Sequence, residues 1–184
     1  IVEITVGLLF CWWMAVGFMF FKLASAPLEV IQPYFWLMTG LLLIILTLAD
    51  LFYGVVLLPI VWLGSIVTIF YRLILWYYGA YQGDDLLRAV VMAVIFFSIF
   101  WLLWKLTGGK GMADGDMYVA MYLGLVMGWP KGVVALLGSF ILGAVVGLVL
   151  IITKLRSRKD TLPFVPFMVG SMIINLLWGD QLIH

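Results

Sequence analysis

Long apolar segments dominate this sequence, and each approaches the length that a helix needs to cross a membrane. A transmembrane helix requires about 20 mostly apolar residues. Seven such spans are predicted, at residues 4–21, 34–49, 55–78, 86–106, 115–129, 132–153 and 164–178. The apolar runs are continuous rather than alternating, which argues against barrel strands. The sequence therefore predicts an all-α integral membrane protein, a bundle of about seven transmembrane helices that forms a single domain over residues 1–184.

Composition indicates that lipid, rather than water, surrounds most of the chain. Hydrophobic residues make up 66% and charged residues 10% of the 184 residues, whereas a soluble domain carries about 45–50% apolar and about 25% charged residues. A net charge of +1, without a basic patch that interleaves with aromatic residues, gives no indication of a nucleic-acid partner. The single cysteine excludes an internal disulfide and a cysteine-cluster metal site, so neither a metal nor a cofactor is expected.

The basic residues predict how the chain is oriented in the membrane. Connections after the second, fourth and sixth spans contain the larger set: Lys105, Lys110, Lys154, Arg156, Arg158 and Lys159. Lys22, Arg72, Arg88 and Lys131 lie toward the other side. Because cytoplasmic loops carry an excess of lysine and arginine, we expect the N-terminus of this chain in the cytoplasm and the C-terminus outside.

Two aspartates stand at membrane depth, where an ionisable side chain is costly and indicates function. Asp50 has apolar residues on both sides, and Asp116 opens the fifth span. Two spans separate them, and an even number of crossings returns the chain to the same face. We therefore expect both carboxylates at the cytoplasmic edge of the bilayer. His184 is the only histidine, which leaves little basis for a Ser-His-Asp set.

Paired carboxylates can hydrolyse a peptide bond, because two close carboxyl groups do not both ionise readily. The ionised group takes a proton from water, and the protonated group donates to the developing oxyanion. Helix dipoles favour Asp116, at a helix N-terminus, as the base and Asp50, near a helix C-terminus, as the acid. The alternative is that both aspartates only cap helices or mark helix interfaces.

Four short motifs extend this interpretation: residues 2–10 (VEITVGLLF), Asp50-Leu51 followed by Tyr53-Gly54, residues 111–116 (GMADGD) and residues 163–167 (PFVPF). In this order they resemble the type IV prepilin peptidases, the GxGD aspartyl proteases, over nearly the whole chain. The resemblance implies that Asp50 and Asp116 are catalytic and that a loop supports them. The loop residues are Gly111, Ala113, Asp114 and Gly115. Asp114 is a weaker candidate for the second role, since it occupies the variable position of the motif.

The resemblance also implies a substrate and a location. Such enzymes remove the leader peptide of type IV prepilins or pseudopilins at the cytoplasmic face of the inner membrane. The family's first helix and cytosolic zinc-binding cysteine loop have no counterpart in this sequence, so the chain is expected to be the membrane core. Methyl transfer to the new N-terminus, which is tied to that loop in the family, is not expected here.

Three departures from the family pattern leave a second hypothesis open. Ala113 stands where the family has the first glycine of GxGD, Tyr118 stands where it has a lysine, and Pro59 lies farther from Asp50 than usual. The alternative is a non-catalytic degenerate homologue, or a small membrane transporter that uses Asp50 as an ion or proton site. A transporter would usually show broken helices in matched halves, and no such internal repeat is evident.

Overall fold

The described part of the chain consists of helices joined by short connections. The computed structural model describes residue 11 and residues 28–80, 84–109, 112–154 and 162–182. The helices are α1 (Leu28–Tyr53), α2 (Leu58–Tyr77), α3 (Asp84–Thr107), α4 (Gly115–Met127), α5 (Lys131–Ile152) and α6 (Val165–Leu182). They correspond to the second to seventh predicted spans. The first predicted span lies outside the described residues, except for residue 11. The all-α prediction is confirmed for the described part, whereas the number of about seven helices stays a prediction.

Four of these helices are long and apolar enough to cross a membrane. They are the Ile31–Tyr53 part of α1, together with α2, α3 and α5. Helix α4 has 13 residues, which at about 1.5 Å per residue gives about 20 Å, less than the hydrocarbon thickness of about 30 Å. The chain is a multi-pass membrane protein in which α4 is a short internal helix.

Helix α4 forms the centre of the bundle and packs on α2, α3, α5 and α6. Nearly all of its residues are buried, as expected for a helix that is apolar on every side. Gly124 lets α4 approach α3 closely, since a Cβ there would lie 2.8 Å from the Met92 carbonyl oxygen. Small residues permit such close approach of helix backbones in membranes. The position of α4 is therefore set by contacts with its neighbours along its whole length.

Helices α5 and α6 form a closely packed antiparallel pair. Ser171 Oγ donates to the Ala135 carbonyl oxygen at 2.7 Å, and Asn175 Nδ2 donates to the Lys131 carbonyl oxygen. Both side chains are buried, so these bonds satisfy polar groups that would otherwise be costly in an apolar interior. The pair places the start of α6 beside the end of α5.

Two helix boundaries differ from the prediction, and the first of them affects the site. Helix α1 begins at Leu28 and continues to Tyr53, so Asp50 lies in its last turn rather than in a connection. Asp84 and Asp85, predicted in a loop, form the first turn of α3. Acidic side chains are stabilised at a helix N-terminus by the positive end of the dipole, which accounts for the earlier start.

Candidate active site

Three segments of the chain meet at the end of the bundle where α1 stops. Asp50 lies in the last turn of α1, and residues 54–57 then lead into α2. Helices α2 and α3 carry the chain away and back, so that α4 starts at this same end with Asp116 as its second residue. Helix α4 then runs to the opposite end, α5 returns the chain, and α6 therefore also starts at this end. This arrangement agrees with the even number of crossings that separates Asp50 from Asp116 in the sequence.

Asp50, in the last turn of α1, is buried against the start of α6. Only 4% of its surface is exposed, and its Oδ2 accepts a hydrogen bond of 3.1 Å from the backbone N–H of Val165. Val165 is the first residue of α6. The first N–H groups of a helix have no partner within the helix, and the positive end of the dipole favours an anion there. The carboxylate of Asp50 thus satisfies one of these donors.

An aromatic cluster fixes the first turn of α6. The Phe164 ring lies 5.6 Å from Phe100 and 5.4 Å from Phe140, measured between centroids. Phe167 is 6.1 Å away by the same measure. Gly143 admits Phe164 to the surface of α5, since a Cβ there would lie 3.1 Å from Phe164 Cε2. Because three helices contribute to this cluster, the Val165 N–H is held in place against Asp50.

Asp116 is the second buried carboxylate, with 2% of its surface exposed. Its Oδ1 is enclosed and has no hydrogen-bond partner within the described part of the chain. Asp50 is close enough to act on Asp116 electrostatically. An unpartnered buried polar group costs about 1–3 kcal/mol, and such groups are retained mainly where they serve a function. The arrangement is therefore typical of a reactive site.

Gly115 brings the segment after Asp50 onto the start of α4. A Cβ at Gly115 would lie 2.6 Å from Val56 Cγ2 and closer still to Val56 Cβ. Gly115 has no side chain that would obstruct a peptide backbone beside Asp116, but in this structure Val56 occupies that space. The consequence is a direct contact between residues 54–57 and the turn that carries Asp116, which sets the relative position of the two carboxylates.

The remaining described residues of the predicted supporting loop, Ala113 and Asp114, lie beside Asp116 but are not buried with the pair. Ala113 and Asp114 are exposed, and the side chain of Asp114 makes no capping hydrogen bond to α4. The Asp116 N–H donates to the Ala113 carbonyl oxygen at 3.3 Å. Gly111 lies outside the described residues. The structure thus brings Asp50 and Asp116 together and leaves Asp114 in an exposed position.

Tyr118 joins three helices beside the site. Its ring lies 5.6 Å from Phe97 of α3 and 6.3 Å from Trp62 of α2, between centroids. The half-buried position is therefore part of an aromatic contact, which explains how a tyrosine fits where the resemblance leads one to expect a lysine.

Val165 and Val56 were not predicted as site residues. The PFVPF motif around Val165 was a usable signal, although in the sequence it indicated only the family resemblance. No pattern pointed to Val56. Within the described residues, no group of three or more histidine, cysteine, aspartate or glutamate side chains could hold a metal ion.

Residues 37–148 match the model of the type IV leader peptidase family. The chain belongs to the type IV leader peptidase family. This confirms the relationship that the four motifs indicated, and both Asp50 and Asp116 lie within the matched segment, whereas Val165 lies beyond it.

Several curated relatives carry the name prepilin leader peptidase/N-methyltransferase. The protein of Pseudomonas putida is 32% identical over 161 residues, which is 86% of this chain and 53% of that relative. The protein of Pseudomonas aeruginosa is 33% identical over 147 residues, or 78% of this chain and 48% of the relative. The chain thus spans about half the length of these relatives. No solved structure matches the chain.

Proposed function

We propose that this chain is the membrane core of an aspartyl endopeptidase that removes the leader peptide of type IV prepilins or pseudopilins. The observation that carries the proposal is the meeting of two buried carboxylates, Asp50 and Asp116, from different helices at one end of the bundle. Membership of a peptidase family and the names of the relatives support the reaction class and the substrate.

The hydrogen bonds favour one assignment of roles within the pair. A backbone N–H that donates to a carboxyl group stabilises its ionised form, and Asp50 receives such a bond from Val165. Asp116 also has a backbone hydrogen-bond partner, at Ala113, but its enclosed Oδ1 has no partner in the described part of the chain, so its ionised form is only partly stabilised. We therefore assign Asp50 as the base and Asp116 as the acid. This reverses the assignment from helix dipoles, which did not include the contribution of α6.

Cleavage then follows a water-activating mechanism. The Asp50 carboxylate takes a proton from a water molecule as the water oxygen bonds to the scissile carbonyl carbon, and Asp116 donates its proton to the carbonyl oxygen. In the tetrahedral intermediate, Asp50 passes its proton to the leaving nitrogen. The carbon–nitrogen bond breaks as a new carboxylic acid forms, and the proton lost from its hydroxyl oxygen returns to Asp116. Two peptides leave, and both carboxyl groups regain their starting protonation.

Substrate access requires a movement at this end of the molecule, since both carboxyl groups are at most 4% exposed. Residues 54–57, which lie on Gly115 through Val56, are the segment best placed to move. They are largely exposed, and they connect two helices without belonging to either. We expect this segment to shift when a peptide enters.

The test is cleavage of a prepilin by the purified protein in lipid. Asp50→Asn and Asp116→Asn should each lower the rate by about 10²–10⁴-fold, the usual contribution of general acid–base catalysis. Asp114→Asn is the matched control, because this exposed aspartate lies only two residues from Asp116, and its rate should stay near that of the parent. Thermal unfolding should show that all three variants fold. Full activity of Asp50→Asn would exclude Asp50 and Asp116 as a catalytic pair and favour a non-catalytic homologue or a transporter.

We further propose that the carboxylate end faces the cytoplasm and that the protein lies in the inner membrane, as the basic residues indicate. Single cysteines at positions 84 and 105, at opposite ends of α3, introduced into a Cys11→Ser background, distinguish the two orientations. In intact cells a membrane-impermeant thiol reagent should label position 84 and spare position 105. The opposite pattern would contradict the orientation.

A further inference from the structure

A cavity lined by both apolar and charged side chains lies at the end of the bundle opposite to Asp50 and Asp116. Its volume is about 300 Å³. The N-terminal halves of α1, α3 and α5, the C-terminal halves of α2 and α4, and Leu176 of α6 surround it. Helix α4 is too short to fill this region, since it ends at Met127, and residues 128–130 then turn into α5. The cavity therefore results from the short central helix and has no part in the proposed cleavage.

Cationic side chains from three helices line this cavity. Arg72 comes from α2, Arg88 from α3, and Lys131 is the first residue of α5. Asp85 is the carboxylate in the lining. Asp84, outside the lining, lies 3.6 Å from Arg88, and both side chains are about half exposed or more. Such an exposed pair is weak, so it does not prevent Arg88 from binding another anion.

Arg72 has a structural role at the end of α4. Its Nε and Nη2 donate to the carbonyl oxygens of Leu125 and Val126 at 2.9 and 3.0 Å. These carbonyls belong to the last turn of α4, where a helix leaves its acceptors without internal partners. Arg72 thus completes α4, while Arg88 and Lys131 line the cavity from the N-terminal ends of α3 and α5.

We propose that this cavity binds a phosphate group carried by an anionic ligand at the membrane surface. Arginine and lysine side chains bind phosphate oxygens through charge-assisted hydrogen bonds. The start of α5 adds the positive end of a helix dipole on the side of Lys131. The volume accommodates a phosphate with several waters, because one water occupies about 30 Å³ of liquid.

The ligand chemistry is shared by two sources, a phospholipid headgroup and free inorganic phosphate. Asp85 in the lining favours the lipid, because a carboxylate repels a second negative charge. A phosphodiester carries one charge, whereas a phosphate group with a second pKa near 6 carries about −1.5 to −2 at pH 7. Trp129, exposed beside the cavity, is of the type that lies at membrane interfaces.

Binding can be measured by thermal unfolding of the full chain in an uncharged detergent, with phosphatidylglycerol or sodium phosphate added in separate titrations. The unfolding temperature should rise with the lipid at micromolar concentrations. Arg88→Gln and Lys131→Gln should each weaken the apparent Kd by about tenfold, as expected for loss of a charge-assisted hydrogen bond. Prepilin cleavage by the two variants should be unchanged, which shows that they fold.

Lys105→Gln is the matched control. This lysine lies at the opposite end of α3, over the Trp101 ring at 4.9 Å, and outside the cavity. A response to lipid alone identifies a headgroup, and an equal response to inorganic phosphate identifies the free ion. Both results support the proposal if Arg88→Gln and Lys131→Gln weaken the response and Lys105→Gln does not. Equal binding by all three variants and the parent, or no response to either ligand, would overturn it.

Discussion

The charged side chains at the two ends of the bundle differ in sign and in how well their hydrogen bonds are satisfied. At the carboxylate end, Asp50 and Asp116 are buried near each other, and one oxygen of Asp116 has no hydrogen-bond partner in the described part. At the cationic end, Arg72 is bound to two carbonyl oxygens of α4. Both ends are terminations of the same helices, and α4 contributes its start to one and its finish to the other.

This difference teaches how to separate reactive charges from structural ones in a membrane protein. The guanidinium of Arg72 satisfies acceptors that the end of α4 would otherwise leave unpaired, so its burial stabilises the fold. Like charges that are brought together oppose folding unless one is neutralised, so the Asp50–Asp116 pair indicates a functional requirement. Substitutions at the two ends should therefore affect different measurements.

The largest effect that we expect from a single backbone hydrogen bond is at Val165. Val165→Pro removes the N–H that Asp50 accepts, and proline is well tolerated at the first position of a helix. A hydrogen bond to a charged group contributes about 1.5–3 kcal/mol, and about 1.4 kcal/mol corresponds to a tenfold change. The turnover number should fall by about 10–100-fold with little change in KM, measured as prepilin cleavage at varied substrate concentration.

Val165→Ala is the control for this substitution, because it shortens the side chain and keeps the N–H. It should lower stability, since Val165 is fully buried, but it should retain most of the turnover number. If both variants lost activity equally, the N–H of α6 would have no special role at Asp50. The carboxylate end would then differ less from the cationic end than we argue.

At the cationic end, Arg72→Lys should reduce stability without altering chemistry. A lysine cannot donate to Leu125 and Val126 with the fixed fork of a guanidinium. The loss should be about 1.5–3 kcal/mol of unfolding free energy, measured by thermal unfolding in detergent. Arg88→Lys, at an exposed ion pair, should change stability far less. A fall in turnover per folded Arg72→Lys molecule would contradict the separation of the two ends.

A smaller effect is expected where the carboxylate end is packed. Gly115→Ala would force a Cβ against Val56, and such overpacking costs about 1–3 kcal/mol. Val56→Gly in the same chain should restore part of this stability, whereas Val56→Ala should not, because Val56 Cβ is the nearest atom. Gly124→Ala is the comparison, since it meets backbone atoms of α3 and no side-chain substitution should restore it. The unfolding temperatures of the single and double variants measure whether Val56→Gly restores stability to Gly115→Ala.

The sequence predicted the six helices of the described part, apart from their ends, and the end of the bundle at which each charge lies, because span length and the parity of crossings determine both. Asp50 and Asp116 could be placed at one end on that basis, and Arg72, Arg88 and Lys131 toward the other. The structure agrees with this arrangement for the described residues. The family likeness, carried by short motifs, was confirmed by the match over residues 37–148.

The contacts that complete the site could not be predicted in the same way. The bond from Val165 to Asp50 joins residues 115 positions apart, and it depends on how α6 docks against α1. The contact of Val56 with Gly115 depends on the path of residues 54–57 outside any helix. The pattern of apolar residues along one helix carries no information on these two contacts between distant segments. The role assignment from dipoles was reversed in our proposal for the same reason, since it considered each helix alone.

The central claim is that Asp50 and Asp116 act as one catalytic unit, and the most direct measurement is the cleavage rate of the double variant. Groups that act together in one step are not additive when removed. We predict that the variant with both Asp50→Asn and Asp116→Asn cleaves prepilin at about the rate of either single variant. A double variant whose loss is the product of the two single losses would contradict the account, because each aspartate would then contribute independently.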